Sequence, residues 1–266
     1  MKVEWVNDGA RFSDGELTAG VYVVSDSFKP FLHPLQTPLG HPVSMSMPGD
    51  HRHHKGLMYG LRCTDLNFWE ESPSADDCGV QLTKDVRVEG DSLKQTLLWQ
   101  RQDDKLQTYR EIRTIRCQRS GDGRSYVWTW SSQREALRDH RLVASDWAMK
   151  KSDGTRVNYH GLGIRLPWMW RFSGDQFNGL EQDGRRSTAD EISGCNAESI
   201  RWWGTVDGYR EPPRCAVSMS QQMGFSWFAL KEDFAYLSTG PCILKDVQVK
   251  KGDVFYEEYE IRIEDL

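Results

Sequence analysis

The strictest constraint lies at the end of the chain. There Phe255, Tyr259, Ile261 and Ile263 alternate with Tyr256, Glu258, Glu260 and Arg262, a period of two that fits a half-wet β-strand and not a helix. Residues 21–24, 80–88, 92–99, 125–130, 157–166 and 225–230 are further β-rich runs, broken by Gly-Asp, Asp-Gly and Ser-Gly-Asp-Gly turns. No helical stripe is sustained; residues 136–149 have room for a helical turn, and 183–200 reads as a polar loop with one short helix. No repeat and no linker divides the chain. The expectation is an all-β fold, a large antiparallel β-sandwich occupying residues 1–266 as one domain, with a barrel as the alternative. The stretch 171–204 is longer than a connection requires and is expected to border a ligand site.

Composition narrows the partners. The 266 residues carry a formal charge of −5, so no basic field favours nucleic acid, and a small neutral ligand is the expected partner. No run approaches the roughly 18 apolar residues of a membrane helix, and the first residues carry no leader-like apolar core, so a cytoplasmic location without a membrane partner is expected. Six scattered cysteines with no C-x-x-C pair read as reduced, buried thiols. The oligomeric state is open.

Five of the seven histidines, His33, His41, His51, His53 and His54, fall between positions 33 and 54. The centre is Asp50-His51-Arg52-His53-His54-Lys55-Gly56-Leu57. In extended backbone His51 and His53 would share one face and His54 the other. Such imidazoles suit general acid/base work or metal ligation, and His33, Asp65, Glu70 or His160 could complete a metal site. Arg52 and Lys55 would repel a divalent ion and lower the proton affinity of the histidines, so no metal and no cofactor are expected. The bland alternative is a polar strand edge satisfied by the backbone.

Three segments together resemble the bacterial PmoA-like domain family: Lys29-Pro30-Phe31-Leu32-His33-Pro34-Leu35, the histidine stretch through Gly60, and Asp65-Leu66-Asn67-Phe68-Trp69. Tyr159-His160-Gly161-Leu162-Gly163-Ile164-Arg165 is similar to that family's later Y-G-G-L-G-x-R. Arg52, Lys55 and His160 depart from the family pattern, which has Pro, Arg and Gly there. Methane oxygenation, named in the family's label, is not carried over, because a membrane oxygenase needs spanning helices. The resemblance implies a supersandwich like that of galactose mutarotase and a sugar as ligand.

That implication suits the aromatic content, since Trp and Tyr faces stack on pyranose rings. Trp69, Trp168, Trp170, Trp202 and Trp203 are candidates, each weighed against ordinary core packing. In the strand over 157–166, alternation places His160 with Leu162 and Ile164, and Tyr159 with Gly161, Gly163 and Arg165. The second face, thinned by glycine, could admit a ligand, and His160 reads as an inward histidine satisfied by the scaffold. The expected function is acid/base chemistry on a sugar or keto-sugar: epimerisation, mutarotation or elimination. Its catalytic candidates are His51, His53, His54, Glu70 and Glu181; its binding candidates are Lys55, His33, Asp65, Trp69, Tyr159, His160 and Arg165. A non-catalytic carbohydrate-binding sandwich and a metal-dependent hydrolase or lyase are the alternatives.

Overall fold

The computed structural model describes residues 1–103, 106–172 and 178–266. Two large antiparallel sheets dominate. One has eight strands in the spatial order Lys2–Val6, Gly9–Asp14, Leu17–Val23, Phe31–Leu35, Leu57–Gly60, Gly161–Arg165, Tyr236–Thr239, Trp227–Leu230. The other has nine, in the order Arg185–Ser187, Asn178–Gln182, Ser199–Thr205, Arg214–Gln221, Val254–Asp265, Ser125–Ala136, Gln107–Arg119, Ser92–Arg101, Gly79–Glu89. The all-β reading therefore holds. No helix among the described residues is long and apolar enough to cross a membrane, and the six cysteines are free thiols, five of them buried.

Strand alternation explains which surfaces meet. In Val254–Asp265 the side chains of Tyr259, Ile261 and Ile263 are buried while Tyr256, Glu258 and Glu260 face water. They join Trp99, Ile115 and Trp128 of the same sheet and Tyr22, Leu32, Leu57, Ile164 and Leu237 of the eight-stranded sheet in one continuous core. The eight-stranded sheet is also apolar on its outer side. Phe31, Met58, Trp69, Phe228 and Tyr236 form a second cluster there; each strand residue among them neighbours a residue of the main core, as a period of two demands. That outer face carries the candidate site. A strand buried on both faces reads as a continuous apolar run, which is why Leu57-Met58-Tyr59 shows no alternation.

Three local expectations fail. Residues 136–149 hold no helix among the described residues; instead His140–Leu142 pairs with Val247–Val249. The stretch 171–204 is not one loop, because Asn178–Gln182, Arg185–Ser187 and the start of Ser199–Thr205 are strands of the nine-stranded sheet, while the short helix expected within 183–200 is present as Ala189–Ile192; residues 173–177 of it lie outside the described residues. The alternation over 157–166 breaks at Gly161, whose φ of 114° suits glycine and not an L side chain. Leu162 and Ile164 enter the main core as expected, but His160 turns to Trp69, with ring centroids 5.3 Å apart.

Candidate functional site

The histidine stretch is not extended. Two successive tight turns form it, closed by His51 N–H to the Pro48 carbonyl at 3.1 Å and His54 N–H to the His51 carbonyl at 3.0 Å. Folding the backbone twice brings all three rings together, which corrects the expectation that His54 faces away. His51 stacks on His54 with centroids 4.8 Å apart and planes 19° apart, and His53 stands edge-on to His54 at 4.6 Å. Phe234 and Tyr236 pack against His54, each with its ring centroid 5.1 Å away.

Arg165 holds this turn from the strand Gly161–Arg165. Its Nη2 donates to Asp50 Oδ2 at 2.8 Å and its Nη1 to His54 Nδ1 at 3.1 Å, while its guanidinium lies 4.2 Å from the centroid of Phe234. A guanidinium only donates, so His54 Nδ1 accepts and the ring carries its proton on Nε2. Burial, reinforced by the neighbouring His53 and Arg165, holds the His54 pKa well below the ordinary value, so this ring is a neutral N–H donor. Asp50 Oδ2 also accepts from His51 Nδ1 at 3.0 Å, which leaves Nε2 as the free nitrogen of His51. Burial works against ionisation of Asp50, but the bonds from Arg165 and His51 bring its pKa down to about 2.

Glu70 faces the turn across a cavity of about 490 Å³, which His51, His53, His54, Tyr159, Phe228, Phe234 and Tyr236 also line. Its Oε1 accepts from Tyr159 Oη at 2.9 Å and from Ser145 Oγ at 3.1 Å. Its Oε2 is buried and has no hydrogen-bond partner. Burial opposes the charge on Glu70, yet His160 and the bonds involving Asn67 and Tyr159 outweigh it and lower the pKa. His160 itself is pushed down to about 4, first by burial, with Glu70 partly opposing. At neutral pH the pair is therefore a carboxylate beside a neutral imidazole, and an ion pair forms only in acid. His160 is fully buried, and neither ring nitrogen makes a hydrogen bond of ordinary geometry, so the expectation of a scaffold-satisfied histidine is corrected. The histidines of the turn and Glu70 do not bring three ligand atoms within 4.8 Å of one another.

His51, His53, His54, Glu70 and Tyr159 thus meet at one cavity, with Trp69 and His160 packed beneath Tyr159 and Arg165 behind His54. Other candidates fall elsewhere. Glu181 sits in the nine-stranded sheet, paired with Arg201 at 3.3 Å. Asp65 is bound by Arg138 at 2.8 Å. Lys55 is buried in ion pairs with Asp26 at 2.6 Å and Glu71 at 2.7 Å, beside the equally buried Lys29, which pairs with Glu71 at 2.9 Å. His33 spends Nδ1 on Ser44 Oγ at 2.9 Å. Trp170, Trp202 and Trp203 are buried away from the cavity, and the half-exposed Trp168 stacks under Arg171 at 3.8 Å. The surface around Gly163 is filled, since a Cβ there would lie 1.7 Å from Tyr236 Oη. Sequence reasoning missed Ser145, Phe228, Phe234, Tyr236 and Trp147. Trp147 is 82% exposed on a loop over the cavity, and its place in Ser-Asp-Trp, outside any apolar run, was the available signal.

The buried imidazoles make stability depend on pH. His53 is lowered to about 4, chiefly by burial and then by the charge of Lys29, and His160 is lowered equally far. Unfolded imidazoles titrate near 6.5, so below that pH the unfolded chain binds more protons and stability falls until pH nears 4. His160 alone should remove about 2–3 kcal/mol between pH 7 and 4.5. Urea titrations across that range check this. His160→Phe, which keeps the contacts with Trp69 and Tyr159, should flatten the slope; an unchanged slope excludes His160 as its source.

No curated protein matches the chain. Residues 11–265 match a family described as "Family of unknown function (DUF6807)", and since that match spans nearly the whole sequence, the chain belongs to DUF6807.

Proposed function

We propose that the cavity binds a neutral keto-sugar and moves a proton on the carbon next to its carbonyl, leading to epimerisation or elimination. The observation that carries this reading is Glu70, an ionised carboxylate on the cavity wall whose Oε2 is buried without an internal partner and reaches a ligand by a turn of the carboxylate toward the cavity. Glu70 takes the proton from the C–H bond, and the electron pair moves to the carbonyl oxygen as an enediolate. His54 is a neutral donor whose Nδ1 is occupied by Arg165, and a neutral imidazole N–H can polarise a carbonyl without surrendering its proton. Protonation of the other face by solvent water, with Glu70 giving its proton up to solvent, gives the epimer; departure of a hydroxyl from the next carbon as water, protonated by Glu70, gives elimination. Trp147 offers an exposed ring to stack on a sugar. Among the described residues no lysine or arginine lines the cavity, which favours a neutral sugar over a sugar acid.

A second reading, a binding module without turnover, draws on the same electrostatics: His53 and His54 are both held neutral, so neither supplies a strong acid near pH 7. A thermal-shift screen of aldoses, keto-sugars and sugar acids, followed by proton NMR of the binders in D2O, separates the two. Deuterium entering the carbon next to the carbonyl is the expected result. Binding without exchange leaves the binding module, and selective binding of sugar acids overturns both.

A further inference from the structure

A second group of ligating atoms lies where a loop of one sheet meets the last strand of the other. His41 belongs to the loop that follows Phe31–Leu35 in the eight-stranded sheet. Cys215 and Asp265 stand directly opposite each other where Arg214–Gln221 pairs with Val254–Asp265 in the nine-stranded sheet. His41 Nδ1, Cys215 Sγ and a carboxylate oxygen of Asp265 all lie within 4.8 Å of one another. Within that group His41 Nδ1 is 2.8 Å and Cys215 Sγ 3.9 Å from Asp265 Oδ1.

We propose that His41, Cys215 and Asp265 form a zinc site that staples the 37–41 loop to the end of the nine-stranded sheet. The donor set is the first argument: one imidazole nitrogen, one sulfur and one carboxylate oxygen suit zinc and not calcium or magnesium, which take all-oxygen shells. Geometry is the second. Zinc bonded to these atoms in a tetrahedron separates them by about 3.3–3.6 Å, from bond lengths of about 2.0–2.3 Å, so the histidine and carboxylate open slightly and the sulfur closes slightly. Preorganisation is the third. Leu39 N–H donates to the other carboxylate oxygen, Asp265 Oδ2, at 3.0 Å, and this fixes the Asp265 carboxylate and leaves Oδ1 toward the imidazole and thiol. Thr37 fixes the histidine, its Oγ1 accepting from His41 N–H at 3.1 Å and its N–H donating to the His41 carbonyl at 3.0 Å. Such support of ligands by outer partners is characteristic of metal sites.

Proton balance is simple. Burial and then the charge of Asp265 push the Cys215 thiol up to about 12, so without an ion it keeps its proton. Binding releases that proton to solvent as the Zn–S bond forms, and the proton that His41 Nδ1 donates to Asp265 in the metal-free site also leaves, to solvent or to Nε2, so that Nδ1 can ligate; no electron is transferred. Three protein ligands leave the fourth position for water. The site shares no residue with the histidine cavity, so the proposal stands or falls independently of the keto-sugar reading.

The test is a cobalt titration of the full chain after chelator treatment, because Co²⁺ reports its own ligands. One equivalent should bind with a thiolate-to-cobalt charge-transfer band and the visible bands of a tetrahedral ion. Zinc should then displace it and raise the melting temperature. His41→Gln and Cys215→Ser should each weaken binding by about 100-fold or more, and Cys215→Ser should also abolish the charge-transfer band. His41 is partly exposed on a loop, so its variant reports even if Cys215→Ser fails to fold. Saturable binding with no charge-transfer band, equal affinity in His41→Gln, or no saturable binding would each overturn the site.

Discussion

Glu70→Gln should slow deuterium exchange into a bound keto-sugar by about two to four decades while leaving its affinity nearly unchanged, the range expected for loss of a general base. The substitution changes little besides the proton acceptor. A glutamine carbonyl in place of Oε1 still accepts from Tyr159 Oη and Ser145 Oγ, which hold the carboxylate at 2.9 and 3.1 Å. The oxygen that is lost is Oε2, which has no partner within the protein. Because the interactions of Glu70 outweigh its burial and lower its pKa, the charge contributes to stability at neutral pH, so the melting temperature should hold or fall slightly. An activity loss accompanied by unfolding, or an equal loss of affinity and rate, would show that Glu70 supports the cavity and does not take the proton. His54 is a poorer probe, because its ring also anchors Arg165, Phe234 and Tyr236, and its removal disturbs packing together with chemistry.

The contrast between Glu70 and Glu181 shows what was legible in the sequence. Glu70 follows Phe68-Trp69 and precedes Glu71, whereas Glu181 lies in Gly179-Leu180-Glu181-Gln182, and neither setting tells which charge the carboxylate meets in the fold. Pairing with Arg201 at 3.3 Å places Glu181 in the nine-stranded sheet, and that neighbour is set by strand order, a long-range property. The same holds for Lys55, whose partners Asp26 and Glu71 are distant in sequence. Local signals fared better. Alternation over Val254–Asp265 gave the correct buried face because side-chain period is intrinsic to a strand. The dense histidine stretch falls at the cavity, which His51, His53 and His54 line and His33 and His41 do not. What failed was assigning faces by extended geometry to residues that fold into two turns. The expectation that cations depress the histidines agrees in direction for His53, where Lys29 and Lys55 both contribute, but burial is the larger cause.

Arg113→Met should cost about 3–5 kcal/mol, the range for removing one partner of a buried ion pair, and lower the melting temperature by about 6–20 °C for a domain of this size. Arg113 and Glu111 are both fully buried on the core side of Gln107–Arg119. Two bonds of 2.8 and 2.9 Å join guanidinium to carboxylate. Arg113 Nη1 also donates to Tyr22 Oη at 3.0 Å, which ties the nine-stranded sheet to the eight-stranded one. Methionine fills the volume but leaves the Glu111 carboxylate hydrogen-bonded to Trp99 Nε1 and Ser132 Oγ alone, each at 2.8 Å, with the charge of Arg134 acting on it without a direct bond. Two neutral donors do not replace a cation at low dielectric, so the variant either protonates Glu111 or pays for a buried charge. Glu111→Gln in the same chain removes that charge; its amide oxygen accepts from Trp99 Nε1 and its NH2 donates to Ser132 Oγ, which turns from donor to acceptor, so the double variant should recover at least half of the lost stability. Denaturant melts of the wild type, both single variants and the double variant complete the cycle. A loss below about 1 kcal/mol for Arg113→Met, or a double variant no more stable than Arg113→Met alone, would show that packing and not charge pairing holds the two sheets together here. Because the cavity lies on the outer face of the eight-stranded sheet, ligand affinity measured well below the melting temperature should not change in either case.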